Sequence, residues 1–261
     1  MAKLAKREAR SETGLFLLEG PQAVAEALTF RPQLVVELFA TPTAIERYSE
    51  IAQSARTAGI EVEFVTEQVI ESMADTVTPQ GVIAVCHQFP TSIKDILRAD
   101  ADGNPPKLIA VLEEVRDPGN AGTIIRAADA AGADGVIFTG RSVDLYNPKV
   151  VRASTGSIFH LPVAVGLEYE VVLQKVRDAG LQVLAADIKG DDLLSARESG
   201  LLKAPTAWVF GNEARGLTDE NLALVDTALT VPIYGHAESM NLATAASVCL
   251  YESAFSQRSA H

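Results

Sequence analysis

Cysteine is scarce. The 261-residue chain has two, Cys86 and Cys249, too few for the disulfide framework of a small secreted domain or for a cysteine zinc site. None of the four histidines stands at metal-ligand spacing from another, so no metal site is expected. Long apolar runs are also missing, because Arg, Asp, Glu or Gly interrupts every stretch before the ~20 residues that a membrane span needs. The start, MAKLAKREAR, is basic but has no apolar stretch behind it, which excludes a secretory signal. Positive charge is in deficit, with 22 Lys+Arg against 34 Asp+Glu and a net charge of −12. Residues 1–103 and the remainder each carry half of that excess. This argues against holding nucleic acid by bulk electrostatics and leaves local basic clusters as the route. Lys3, Lys6, Arg7 and Arg10 form one cluster, and Arg141, Lys149 and Arg152 another; each also fits a solvated face. The expectation is a soluble, cytoplasmic protein, 48% apolar and long enough for one large or two modest cores.

Standard nucleotide and hydrolase signatures are absent. No G-x-G-x-x-G follows a strand, and neither G-x-x-x-x-G-K-[ST] nor G-x-S-x-G occurs. Gly119-Asn-Ala-Gly122 matches the short G-x-x-G of a KH module, but too many elements surround it for that unit. There is no internal repeat and no low-complexity segment.

What is present is alternation. PQAVAEAL reads as a helix opened by Pro21, VVELFA (35–40) as a strand, and 43–58 as an amphipathic helix. EVEFVT (61–66) and GVIAVCH (81–87) read as strands with a helix, EQVIESMAD, between them. Residues 91–106 end in Gly103-Asn104-Pro105-Pro106 and read as a linker. The alternation then restarts. LIAVLE (108–113), GVIFTG (135–140) and AWVFG (207–211) read as strands, and 122–132, 147–160 and 241–255 as helices. The pattern predicts an α/β protein with domains at 1–90 and 107–261 and a parallel or mixed sheet flanked by helices.

Three turns in the second part carry more than a connection needs. In RDPGNAGTIIR, residues 118–122 read as a tight loop before a helix, where free N–H groups receive an anion. Arg126 lies one turn into that helix, within reach of a phosphate. In VFGNEARGL, Gly211 and Gly216 bracket Glu213 at the carboxyl end of a strand, where open α/β sheets bind ligands. In VPIYGHAESMN a polar turn separates an apolar strand from an apolar helix. Ser239 or Asn241 is expected to cap that helix, and His236 reads as a loop residue.

In this order and spacing, RDPGNAGTIIRAADAAGADGVIF (116–138), FGNEARGL (210–217) and VPIYGHAESMNLATAASVCLYE (231–252) resemble the SpoU (TrmH-type) RNA ribose 2′-O-methyltransferases of the SPOUT superfamily. FLLEGPQAVAEAL (16–28) and PQGVIAVC (79–86) resemble the substrate-binding domain that often precedes their catalytic domain. The resemblance implies a C-terminal SPOUT domain with a parallel sheet and a deep trefoil knot, which general rules of topology would not suggest. It implies S-adenosylmethionine as cofactor, held around Phe210, Gly211, Asn212, Gly216, Ile233, Met240 and Leu242. Met240 stands where leucine or valine is common in the family. It also implies a catalytic set of Arg126, Asn120, Glu213, Ser239 and Asn241, and a homodimer whose active site the partner completes. A guanidinium is not deprotonated in proteins, so Arg126 is expected to clamp a phosphate and stabilise alkoxide charge rather than act as a literal base. The expected substrate is structured RNA, with 23S ribosomal RNA favoured over transfer RNA. The alternative is an RNA-binding protein of the same fold without catalysis.

Overall fold

The computed structural model describes residues 2–258, without the side chains of Ala2 and Lys3, so that Lys3 of the first basic cluster lies outside the described side chains. Two compact units are present, one of residues 1–89 with 144–160, the other of 90–143 with 161–261.

The first unit holds β1 (Leu15–Glu19), β2 (Val35–Ala40), β3 (Val62–Phe64) and β4 (Val82–His87) in the order β1-β4-β2-β3. β4 runs antiparallel to both of its neighbours, and β2 and β3 are parallel, so this sheet is mixed. Its helices are α1 (Arg7–Thr13), α2 (Pro21–Phe30), α3 (Pro42–Arg47), α4 (Ser49–Ala58) and α5 (Glu67–Met73). The single helix expected over 43–58 is two, broken at Tyr48 (φ −122°, ψ 57°). No glycine or proline marks the break, so the apolar pattern runs through it unchanged. Leu4, Leu17, Phe39, Ile70, Met73, Ile83 and Val85 pack together as a core of this unit.

The second unit begins with α6 (Ile93–Ile96), which Ser92 caps. Residues 91–106 were expected as a linker, yet Ile93 and Ile96 are buried in the core of this unit. The strands β5 (Leu108–Glu113), β6 (Gly135–Thr139), β7 (Val163–Leu167), β8 (Gln182–Asp192), β9 (Thr206–Phe210) and β10 (Thr227–Thr230) form one sheet, ordered β10-β8-β9-β5-β6-β7. Every pairing in it is parallel. That accounts for the apolar run in β5, since parallel strands are covered on both faces. The helices are α7 (Pro118–Ala131), α8 (Pro148–Ser154), α9 (Tyr169–Asp178), α10 (Leu193–Glu198), α11 (Asp219–Leu222) and α12 (Leu242–Arg258), of which α8 belongs to the first unit. On one face of the parallel sheet Ile109 and Val111 pack with Val172, Leu173 and Val176 of α9. α12 packs on α7 and β9, where the indole N–H of Trp208 donates to the Ser253 hydroxyl (2.9 Å). β8 is irregular: Ala185 pairs with Ala228 but Asp191 pairs with Leu229, so residues 186–190 have no partner in β10, although Ala186 still pairs with Phe210 of β9. A side chain at Gly190 would lie 2.5 Å from the backbone of Ala228 and Leu229, and only glycine allows that approach.

Helix 147–160 of the sequence reading ends at Ser154, where Thr155 (φ 51°) and Gly156 (φ 94°) turn the chain into a short 3-10 segment. This segment and α8 lie within 107–261, yet they pack with the first unit. The Tyr146 ring lies tilted against Phe16 (4.8 Å between centroids), and its oxygen accepts from the Phe89 amide (2.6 Å).

Candidate functional site

The three glycine-bearing turns meet at the carboxyl ends of β5 and β9. The first is helical where a loop was expected: Asp117 caps α7 by accepting from the Asn120 amide (2.8 Å), and Pro118 takes the first helical position. Proline suits that position because its missing N–H has no partner there anyway. Asn120 therefore projects from the first turn of a helix.

The second turn closes on itself, Asn212 and Gly216 exchanging backbone hydrogen bonds of 3.2 and 2.8 Å. A side chain at Gly211 would meet the backbone of Gly216 and Leu217 at 2.6–2.8 Å, so the loop can fold back only over a glycine. At its tip the Glu213 carboxylate accepts from the amides of Arg116 (3.2 Å) and Asp117 (3.0 Å) and from the Asn120 side chain (3.4 Å). The third turn supplies Asn241. Its Oδ1 caps α12 by accepting from the amides of Ala243 (2.9 Å) and Thr244 (3.2 Å), while its Nδ2 donates to Asn120 Oδ1 (3.0 Å). A single chain, Asn241 to Asn120 to Glu213, thus ties three segments together through two bonds, each between residues more than ninety positions apart in sequence.

The other expected residues are placed as follows. Phe210 is fully buried, its ring stacked near Trp208 (6.3 Å, 12°), so only its backbone faces the strand end. Asn212 donates to the Glu114 carbonyl (2.9 Å). Ile233 and Ser239 are exposed; Met240 and Leu242 are half-buried. His236 is exposed in the third turn, as expected of a loop residue. Through residues 231–240 the backbone makes no hydrogen bond among the described residues, which leaves amides and carbonyls available beside the closed loop. Arg126 is exposed on α7. Six positions after Asn120 it lies about 240° around the helix and about 9 Å along it, so the two do not share a face.

Each basic cluster has an arginine engaged within the fold, while Lys6, Arg7, Arg141 and Lys149 are exposed. Arg10 is 2% exposed, pairs with Asp144 (2.5 Å) and donates to the carbonyls of Leu4 and Ala5. Arg152 pairs with Asp75 (3.0 Å) and Glu19 (3.6 Å). Arg141 belongs to the other unit from Lys149 and Arg152. Both thiols are buried, and burial pushes each up to about 12. A concavity of about 840 Å³ lined by Asp95, Arg98, Asn104, Lys107 and Asp134 lies at the amino ends of β5 and β6, opposite to where parallel sheets bind ligands. Among the described residues no group of three or more His, Cys, Asp or Glu is placed to hold a metal, and no helix is long and apolar enough to cross a membrane.

Comparison with known proteins gives this geometry its context. The SpoU rRNA Methylase family model matches residues 107–251, and a second model, RNA 2′-O ribose methyltransferase substrate binding, matches 17–92. The chain belongs to the SpoU rRNA methylase family. A 23S rRNA (guanosine(2553)-2′-O)-methyltransferase, RlmP of Bacillus subtilis, is 32% identical over 95% of this chain and 92% of its own length. A 23S rRNA (uridine(2479)-2′-O)-methyltransferase of Streptomyces viridochromogenes is 31% identical over 96% of this chain and 86% of its own. Among solved structures, AviRb of Streptomyces viridochromogenes in complex with AdoMet superposes with a TM-score of 0.82, at 29% identity over 99% of this chain and 96% of that one.

Within this SpoU chain the structure adds residues that the motifs did not single out. Asp117 caps α7, and the Asp-Pro pair ahead of the glycines is a helix-start signal that would have found it. Glu114 sits at φ 51° and receives both Arg116 (3.3 Å) and Arg215 on one carboxylate oxygen, Oε2. No local pattern announces this pairing, since Glu114 and Arg215 come from different turns.

Proposed function

We propose that this chain transfers a methyl group from S-adenosylmethionine to a ribose 2′-hydroxyl of 23S ribosomal RNA, as a cytoplasmic homodimer. The observation that carries the reading is the Asn241–Asn120–Glu213 chain, which joins all three SpoU motif turns at the carboxyl ends of β5 and β9. The residues present fit the cofactor: the unbonded backbone of 231–240 and the closed loop at 211–216 offer both donors and acceptors to a ligand rich in them. Phe210, Gly211, Asn212, Gly216, Ile233, Met240 and Leu242 would hold it, mostly through backbone.

Bound S-adenosylmethionine supplies a sulfonium methyl group that needs no activation. The work left to the protein is on the RNA. A 2′-hydroxyl is a poor nucleophile, so the site must place it and stabilise the charge that develops on oxygen. Asn120, its amide fixed between Asn241 and Glu213, orients the ribose. Ser239, exposed two positions before Asn241, reaches the sugar. Glu213 is a positioning residue: it anchors the 116–117 backbone and the Asn120 amide. Arg126 points elsewhere than Asn120, which supports a composite site in which the arginine of one copy serves the pocket of a second. Tyr251 and Phe255, partly exposed on α12 with rings 5.4 Å apart, suit the contact between copies. The return of the chain from β10 across the strand ends to α12 is read as the threading of the trefoil knot. Residues 1–90 are read as the RNA substrate-binding domain.

Arg126→Ala is the test. Methyl transfer falls at least about a hundredfold, the scale of losing a charge-stabilising donor, while S-adenosylmethionine affinity by calorimetry stays within about threefold. Equal loss of both overturns the assignment.

A further inference from the structure

An acidic chain that takes RNA needs positive charge at the point of contact, and two arginines of its basic clusters are spent within the fold: Arg10 is buried and Arg152 is paired twice. We propose that Arg116 and Arg215, held side by side by Glu114, form a clamp for an RNA backbone phosphate next to the target ribose. The inference rests on the reading above and adds the contact that seats the substrate.

Glu114 is fixed at every point. Its backbone adopts a left-handed conformation that non-glycine residues seldom take (φ 51°). Its amide donates to the Thr139 carbonyl (3.3 Å), and its carbonyl accepts from Asn212 Nδ2 (2.9 Å). Its side chain is only 18% exposed, whereas the two arginine side chains that converge on it are each 55% exposed. The loops that carry them are pinned as well. Glu213 accepts from the Arg116 amide, and Asn212 Oδ1 from the Arg215 amide (3.4 Å). Glu114 holds the two guanidinium groups together by one terminal nitrogen of each and leaves their other N–H donors to a ligand. Two planar forks carry ten N–H donors, of which the carboxylate engages Nη2 of each. A phosphodiester oxygen pair suits what is left, because bidentate arginine recognition favours that geometry. The location is apt: Arg116 and Arg215 neighbour Asp117 and Glu213, the ends of the network that positions Asn120.

The assay measures binding of full-length, unmodified 23S ribosomal RNA transcript across a potassium chloride series, with methyl transfer and S-adenosylmethionine calorimetry in parallel. Arg116→Ala and Arg215→Ala should each lower RNA affinity about tenfold, the scale of one charged hydrogen bond. Each should also flatten the log–log salt slope by roughly 0.7–0.9, one phosphate contact, and raise KM more than it lowers kcat. Arg215→Lys keeps the charge without the fork and should fall between. Glu114→Gln is decisive for the positioning role: removing a negative charge should weaken RNA binding, although simple charge balance predicts strengthening. Unchanged affinity and slope in both alanine variants overturn the clamp; tighter binding by Glu114→Gln overturns the part assigned to Glu114. If the wild-type protein methylates the transcript while the variants bind like it, the clamp alone fails. If the wild-type protein neither binds nor methylates, the reading of function fails first.

Discussion

Two buried thiols and one asparagine network illustrate how individual residues in this chain divide between fold and chemistry. Cys86 and Cys249 have no exposed surface, and burial raises each from 9.0 to about 12. Neither is a thiolate near neutral pH, so neither is a nucleophile or ready metal ligand. The shift has a stability consequence with a definite sign. The folded pKa lies above the unfolded one, so the contribution is complete below pH 9 and is lost as pH rises toward 12. Denaturant midpoints should fall steadily between pH 9 and 11, and the Cys86→Ala, Cys249→Ala double variant should show a shallower fall. An equally steep fall in the double variant would assign the effect to other groups, such as Tyr146, whose burial also raises it. Asn120, Glu213 and Asn241 contrast with the thiols: they lie at strand and helix ends, and they bond to one another rather than disappear into the core.

At the scale of elements, helix starts do double duty. Asn241 caps α12 with its oxygen and grips Asn120 with its nitrogen. The two jobs separate by substitution. Asn241→Ala should cost about 1 kcal/mol in unfolding free energy together with most of the methyl transfer. Asn241→Asp keeps the capping oxygen, so stability should stay near wild type while transfer falls as far as in the alanine variant. Wild-type transfer by Asn241→Asp would make Asn241 a cap and nothing more. The same doubling sets what the sequence could reveal. Most strands, among them β2 and β5, are marked by apolar runs and were legible. The start of α7 is hidden because the glycines of PGNAG look like a loop, whereas Asp117 and Pro118 make them the first helical turn. The core role of Ile93 and Ile96 hid behind the prolines at 105–106. The site residues themselves were legible only through the order of three motifs. Which of them touch was not, because Asn120, Glu213 and Asn241 meet through sheet topology, and Glu114 meets Arg215 the same way.

At the scale of the whole molecule, the chain combines a mixed four-stranded sheet with a parallel six-stranded one, and each has its own family match. Its charge of −12 and its RNA-directed family are compatible because contact with RNA depends on local charge rather than the sum. The central claim is that the convergence of the three turns makes a ribose methyltransferase. The most direct test is transfer of labelled methyl from S-adenosylmethionine to unmodified 23S ribosomal RNA, followed by alkaline hydrolysis and mass spectrometry of the products. A ribose 2′-O-methyl group blocks cleavage at its own phosphodiester, so the account predicts one labelled, alkali-resistant dinucleotide. Label on a base, or no incorporation by a protein that binds both S-adenosylmethionine and the RNA, would contradict it.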